Sequence, residues 1–283
     1  MSDIILLDRF FRKVQLHLAA CYGDVARWPV ILGIFGRSGD GKSVQLTVAL
    51  ENCQVEIVRL NAADLESGLA GEPGKYIART YATASMAVAK DVPVAIVVDD
   101  IDTTVGEWEM NTGTVNHQQV LAELMHIADQ PVDHARNFPR RVPVFVTGNN
   151  LKRLYPPLRR PGRMNTFVWS PEPGEVRAVV EGIFGHGADN ATIDELTREF
   201  GAEPLAFFAR VRQEILHREM SEQLLSGGYD MRRFLRKSHN NHSNGARRRL
   251  SGPEVLQVAR AVWAEQQAVL ADFLESHGAG GYR

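Results

Sequence analysis

Eight residues, Gly36-Arg37-Ser38-Gly39-Asp40-Gly41-Lys42-Ser43, constrain this chain more than any other stretch. They follow an apolar run, Val30-Ile31-Leu32-Gly33-Ile34-Phe35, and lead into Val44-Gln45-Leu46-Thr47-Val48-Ala49-Leu50. The order is strand, then G-x-x-x-x-G-K-S, then helix, which is the context the P-loop pattern requires. Glycines let backbone N–H groups turn inward around phosphate oxygens, and the helix N-terminus adds the positive end of its dipole. The pattern predicts that Gly36, Ser38, Gly39, Asp40, Gly41, Lys42, Ser43 and Val44 cradle the phosphates of ATP. Lys42 would reach the β- and γ-phosphates and Ser43 would hold Mg²⁺. A glycine-rich turn that binds nothing has no need of both flanking elements.

The remaining chain bounds what such a loop can serve. Its 283 residues suffice for one large domain or two ordinary ones, and 44% apolar with 23% charged residues is a soluble globular composition. A net charge of −2 gives no global argument for nucleic acid or membrane. The exception is local: Pro131 to Arg163 carries eight Lys or Arg against the single Asp133. Cys21 and Cys53 are too few for a disulfide framework and sit among apolar residues, as small core residues do. Asp3 and Asp8 interrupt the N-terminal apolar stretch, which does not read as a signal peptide, and no apolar run approaches a membrane span. The expected compartment is a reducing cytoplasm, or a plastid stroma if the chain is eukaryotic and processed.

Periodicity predicts an α/β sheet. A helix is expected over 4–22 through Ile5, Leu6, Phe10, Val14, Leu16, Leu18 and Cys21. A second strand, Val55 to Leu60, precedes a loop over 61–72 and a helix over 73–90 with Pro73 in its first turn. Val92 to Val98 suits a strand buried on both faces and ends in Asp99-Asp100-Ile101-Asp102. After a loop over 103–114 and a helix over 116–129, Val142 to Val146 forms another strand, ending in Thr147-Gly148-Asn149-Asn150. Strands alternating with helices, each strand ending in polar chemistry, place the site at the strand C-termini of a parallel sheet. Beyond Pro171 the pattern becomes helical over 173–184, 191–200, 203–224 and 251–275. We therefore expect an α/β nucleotide-binding domain over 1–170 and a small α-helical domain over 171–283. A polar, basic, mobile loop is expected near 237–250; its His239 and His242 have no Cys or acidic neighbour to make a metal site.

Phosphoryl transfer needs metal ligands, an oriented water and positive charge at the γ-phosphate. Asp99 ends an apolar strand and suits the Mg²⁺ shell. Asp100 would orient the attacking water, and Asn149 would hydrogen-bond that water or the γ-phosphate. Arg159-Arg160-Pro161-Gly162-Arg163 supplies cations. On an edge turn these would serve a neighbour's site rather than their own, which implies a ring.

Taken together, these motifs resemble those of the AAA+ ATPases, and the helical segment after 171 resembles their lid. A narrower resemblance is to the rubisco activases. Asp64-Leu65-Glu66-Ser67-Gly68-Leu69-Ala70-Gly71-Glu72-Pro73 is similar to their E-L-E-S-G-N-A-G-E-P stretch. Thr114-Val115-Asn116 and Leu124-Met125-His126-Ile127-Ala128-Asp129-Gln130-Pro131 resemble T-V-N-N and L-M-N-I-A-D-N-P. Val142-Pro143 to Asn149, Leu154-Tyr155-Pro156-Pro157-Leu158 and Gly162-Arg163-Met164 also match, and Phe207-Phe208 with Arg212 looks like the lid segment carrying sensor 2. The resemblance implies that Asp99 and Asp100 form Walker B, that Asn149 is sensor 1, that Arg160 and Arg163 are arginine fingers and that Arg212 reaches the nucleotide. It further implies a hexameric ring. Its pore loop, Leu65, Glu66, Ser67, Gly68 and Leu69, would engage the rubisco large subunit and release inhibitory sugar phosphates. Departures are specific. This chain starts almost at the ATPase module, whereas plant-type activases carry an N-terminal domain before it. Asp99 stands where plant-type activases have Asn, Asp100 replaces the more usual AAA+ Glu, and Thr112-Gly113 replaces a Gln-Tyr pore pair.

Two alternatives stay open at this level. One is an AAA+ switch acting on another protein or on nucleic acid, which the basic stretch and Arg247-Arg248-Arg249 would suit. The arginine fingers and a solvated loop account for those residues more simply. The other is a P-loop small-molecule kinase, which would need neither a ring nor a pore loop.

Overall fold

A computed structural model describes residues 4–60, 72–104, 115–226, 231–232 and 251–278. The chain divides into two units, Leu6–Ser170 and, with Met1–Ile5, Pro171–Arg283.

The first unit is a five-stranded parallel sheet with helices. Its strands are β1 (Ile31–Phe35), β2 (Glu56–Leu60), β3 (Val94–Val98), β4 (Val144–Gly148) and β5 (Met164–Val168), in the order β2-β3-β4-β1-β5. Position in that order explains the sequence of each strand. The three inner strands are buried at every residue and are almost wholly apolar, as strands covered on both faces must be. The edge strands are not: β2 is only partly buried until Leu60, and in β5 Met164 alone is fully buried. That alternation hid β5, which the sequence reading did not predict; Met-Asn-Thr-Phe-Val after a Pro-Gly turn carries too little apolar signal.

The first-unit helices are α1 (Asp8–Tyr22), α2 (Lys42–Asn52), α3 (Glu72–Val88), a single turn α4 (Ile101–Thr104) and α5 (Val115–Asp129). Helix α1 begins at Asp8, later than expected, and buries Phe10, Val14, His17, Leu18 and Cys21 on one face. Leu16 falls off that face and is exposed, because two residues advance a helix by about 200°. On the other side of the sheet α3 packs against α5. Buried Tyr81 of α3 lies edge-on to Phe138 at 4.8 Å, donates to the Pro131 carbonyl at 3.0 Å and accepts from the Val142 amide at 3.2 Å. One side chain thus anchors the connection between α5 and β4.

The second unit comprises α6 (Pro173–Phe184), α7 (Asn190–Phe200), α8 (Leu205–Ser226) and α9 (Gly252–Gly278) among the described residues. Pro173 opens α6, where its missing N–H costs nothing, and Glu172 with Glu175 forms a reciprocal cap. Asp189 caps α7 by accepting from the Thr192 amide at 2.9 Å. Val180, Phe184, Leu196, Phe208, Val211, Val255 and Ala259 form the centre of its core. Among the described residues no helix is long and apolar enough to cross a membrane. The basic loop expected near 237–250, the expected loop residues 105–114 with Thr112-Gly113, and the client loop Leu65, Glu66, Ser67, Gly68 and Leu69 lie outside the described residues.

Candidate nucleotide site

Strand order brings three polar strand ends side by side. β1 runs into the Gly36–Ser43 loop, β4 beside it ends at Asn149, and β3 beside β4 ends at Asp99. The loop itself is held tightly. Gly39 and Gly41 have φ of +82° and +77°, the left-handed region where glycine pays no Cβ penalty. A Cβ on Gly36 would come within 2.1 Å of the Trp169 carbonyl oxygen, so no other residue fits without moving the end of β5. Trp169, fully buried, also donates from its indole to the Asp40 carbonyl at 2.8 Å. The Asp40 carboxylate, itself buried, pairs with Arg37 at 3.0 Å. Ser38 and Val44 are exposed on the rim.

Lys42 folds into the loop. Its ammonium donates to the Gly36 carbonyl at 2.8 Å, the Arg37 carbonyl at 3.0 Å and Asn149 Oδ1 at 2.9 Å. All three protons are engaged, and Walker A is tied directly to the sensor-1 candidate on another strand. Burial lowers the Lys42 pKa, while Asp100, Asp40 and Asp102 pull it back up.

The acids form a second cluster. Asp99 Oδ1 accepts from Ser43 Oγ and Thr147 Oγ1, both at 3.0 Å, and Asp99 Oδ2 accepts from Arg59 at 2.5 Å. Thr147 Oγ1 also accepts from the Asp100 amide at 3.1 Å. One buried hydroxyl therefore fixes both members of the acid pair. Asp100 has φ +49°, a left-handed backbone that non-glycine residues seldom take. Its side chain is exposed, yet partial desolvation is the largest cause raising its pKa, followed by the charges of Asp99 and Asp102; Lys42 opposes them.

Asp102, 3% exposed, accepts from the amides of Asn149 at 2.9 Å and Asn150 at 2.7 Å through Oδ2. It sets the backbone on which Asn149 is mounted. Arg59, Thr147, Asp102 and Trp169 belong to this site and were not singled out from sequence. Asp102 alone had a readable signal, a third acid in Asp99-Asp100-Ile101-Asp102.

Arg160 and Arg163 are not brought to this cluster. They immediately precede β5, whose first residue Met164 pairs with Ile31 at the start of β1. The P-loop follows the other end of β1, roughly 16 Å away at about 3.3 Å per residue. Arg163 grips Asp129 with two bonds of 2.7 Å and donates to the Pro157 carbonyl at 3.0 Å; the Asp129 bond raises its pKa. Both arginines line a cleft of about 720 Å³ with Arg27, Trp28 and Arg141. Arg212 is buried on α8 of the second unit. Much of the basic stretch is held by its own chain: Arg136 pairs with Glu123 at 2.7 Å, Arg140 with Asp24 at 3.4 Å, and Arg141 donates to the Val25 and Trp28 carbonyls. These contacts commit Arg136, Arg140 and Arg141 to partners in their own chain.

The donor set suits a hard cation brought in by phosphates. Ser43 Oγ and the Asp99 carboxylate are adjacent oxygen donors, and Mg²⁺ uses one or two protein oxygens plus phosphate and water. Among the described residues no group of three or more His, Cys, Asp or Glu could hold a metal unaided.

A parallel sheet carrying this loop, with an acid and an amide on the neighbouring strand ends, defines a P-loop ATPase with an α/β nucleotide domain and a helical second unit. Residues 32–172 match the model of the AAA family, "ATPase family associated with various cellular activities". The chain belongs to the AAA ATPases and is rubisco-activase-like within them. It is 34% identical over 236 residues to the ribulose bisphosphate carboxylase/oxygenase activase of Anabaena sp., covering 80% of this chain and 57% of that one. The chloroplastic activase of Spinacia oleracea is 32% identical over 240 residues, covering 81% and 51%. That of Zea mays is 31% identical over 280 residues, covering 95% and 65%. The chain thus spans a little over half the length of the first of these relatives. A chain in the E. coli MS115-1 HORMA:CdnC:Trip13 complex shares the fold, with TM-score 0.58 at 17% identity over 91% of this chain and 88% of that one.

Proposed function

We propose that the chain binds and hydrolyses Mg²⁺-ATP at this site and, in a homo-oligomeric ring, a hexamer, remodels rubisco so that inhibitory sugar phosphates leave. The observation that supports the nucleotide half is the junction of strand ends, Lys42 on Asn149 and Ser43 on Asp99. Similarity to proteins named activase supports the client half. In this reading Lys42 and the loop amides hold the phosphates, Ser43 and Asp99 hold the metal, and bound Mg²⁺ neutralises phosphate charge. Asp100 holds the attacking water, Asn149 fixes it or the γ-phosphate, and Arg212 serves as a nucleotide-binding residue. Arg160 and Arg163 serve the adjacent subunit. The protein would work where its rubisco is, in a cytoplasm or a plastid stroma.

Asp100→Asn is expected to lower ATP turnover by about 10²–10⁴-fold, the range of a lost general base, with nucleotide affinity nearly unchanged. The raised pKa of Asp100 also sets a sign. Only the ionised carboxylate accepts a proton from water, so turnover falls as pH drops through that pKa, at a higher pH than an unperturbed Asp would give. A pH–rate profile flat down to pH 4 would remove Asp100 from this role.

The client is tested by reactivation. Rubisco from the same source, inhibited by a tight-binding sugar phosphate, should regain activity with ATP and not with a non-hydrolysable analogue. Leu69→Ala, in the segment proposed to touch rubisco, should keep basal ATPase and lose reactivation. ATP turnover without any rubisco response would assign the ATPase to another protein client.

A further inference from the structure

No motif in the sequence marks a cation on the acidic side of the site. The structure places one there. Arg59 sits in β2 opposite Val97 of β3, two residues before Asp99, so its guanidinium reaches the strand end. One arm donates to Asp99 Oδ2 at 2.5 Å and the other donates to Thr47 Oγ1 on α2. Thr47 in turn donates to the Ser43 carbonyl at 2.6 Å, and Ser43 Oγ donates to Asp99 Oδ1. The four residues close a ring around the two oxygen donors that suit a divalent cation.

This ring has two opposed consequences. With one arm on Asp99 Oδ2 and the other fixed on Thr47, the guanidinium leaves Oδ1 to the Ser43 and Thr147 hydroxyls and so holds the carboxylate in one orientation. The guanidinium also cancels charge on the same carboxylate. Side-chain exposures of 33% for Arg59 and 22% for Asp99 leave solvent screening incomplete. A carboxylate already paired with a cation offers less attraction to a second one.

We infer that Arg59 is a resident counter-cation that sets the magnesium requirement of this ATPase, weakening the hold of the Ser43–Asp99 pair on the metal. It acts through Asp99 and is a positioning residue, not a catalytic one. The inference rests on the nucleotide-site reading above.

The test reads binding, not turnover. MgCl₂ is titrated into the full chain with a fluorescent ADP analogue, following anisotropy. Arg59→Gln should lower the Mg²⁺ concentration for half-maximal binding by about tenfold or more, as loss of a nearby like charge predicts. Arg59→Lys keeps the charge and loses the fork, and should stay within about threefold of wild type. If Arg59→Gln does not fold, as judged by circular dichroism, Arg59→Met carries the same expectation. An unchanged midpoint in the neutral variants, or one raised in them, overturns the inference. A wild type that binds no nucleotide at any magnesium concentration fails the underlying site reading instead.

Discussion

Lys42→Ala abolishes nucleotide-dependent behaviour: ATP turnover falls at least ~10³-fold, more than the loss of one preorganised donor in an acyl-transfer site. Nucleotide no longer raises the melting temperature. The reason is visible in the bonds the ammonium makes. Lys42 bridges the Gly36 and Arg37 carbonyls of the loop to Asn149 on β4, so it sits where loop and sensor strand converge. Alanine removes the cation proposed to meet the phosphates and cuts the link to Asn149 together. Wild-type protein in excess ADP should gain stability by mass action, about 2.7 kcal/mol at a hundred times the Kd, and the variant should gain none. ATPase activity equal to wild type would remove the loop from catalysis.

Arg163→Ala is expected to lower turnover by about 10³–10⁵-fold, the range attributed to an arginine finger, while nucleotide affinity stays close to wild type. β5 register puts Arg163 at the opposite end of the adjoining strands from its own P-loop, so its effect should be exerted on a neighbour. Mixing Arg163→Ala subunits with Asp100→Asn subunits tests this. Some interfaces then combine an intact acid pair from one subunit with an intact arginine from the next, and part of the activity returns. No recovery at any mixing ratio counts against the role in trans. Asp129 offers a control. Its two 2.7 Å bonds hold the guanidinium in place, and both side chains are partly exposed, so the pair adds little to stability. Asp129→Asn should perturb turnover far less than Arg163→Ala.

Much of this fold was legible because its inner strands are one-sided in chemistry. Val94–Val98 and Val144–Gly148 are short, mostly apolar runs followed at once by Asp99 and Asn149, and runs of that length among helical segments suit strands buried on both faces. The P-loop declared itself through spacing. What stayed hidden depends on pairing across long sequence separations. Arg59 lies in Val-Glu-Ile-Val-Arg-Leu, where a single cation in an apolar strand reads as a solvated edge residue; only the adjacency of β2 to β3 brings it to Asp99. Thr147 reads as an ordinary β-former, and its bonds to Asp99 and the Asp100 amide join residues 48 and 47 apart in sequence. β5 was missed for its weak apolar pattern.

Trp169 carries a lesson for anyone wishing to transplant this nucleotide loop. The motif looks portable, eight residues between a strand and a helix. Yet its first glycine is shaped by the Trp169 carbonyl, and its Asp40 carbonyl is held by an indole 129 residues away in sequence. The smallest graft that preserves the loop's shape is therefore two pieces of chain, the motif and the end of the edge strand beside β1. Trp169 stands one residue before the last residue of the nucleotide unit, so a loop redesign in this protein also touches the stretch of chain that leads into the helical unit.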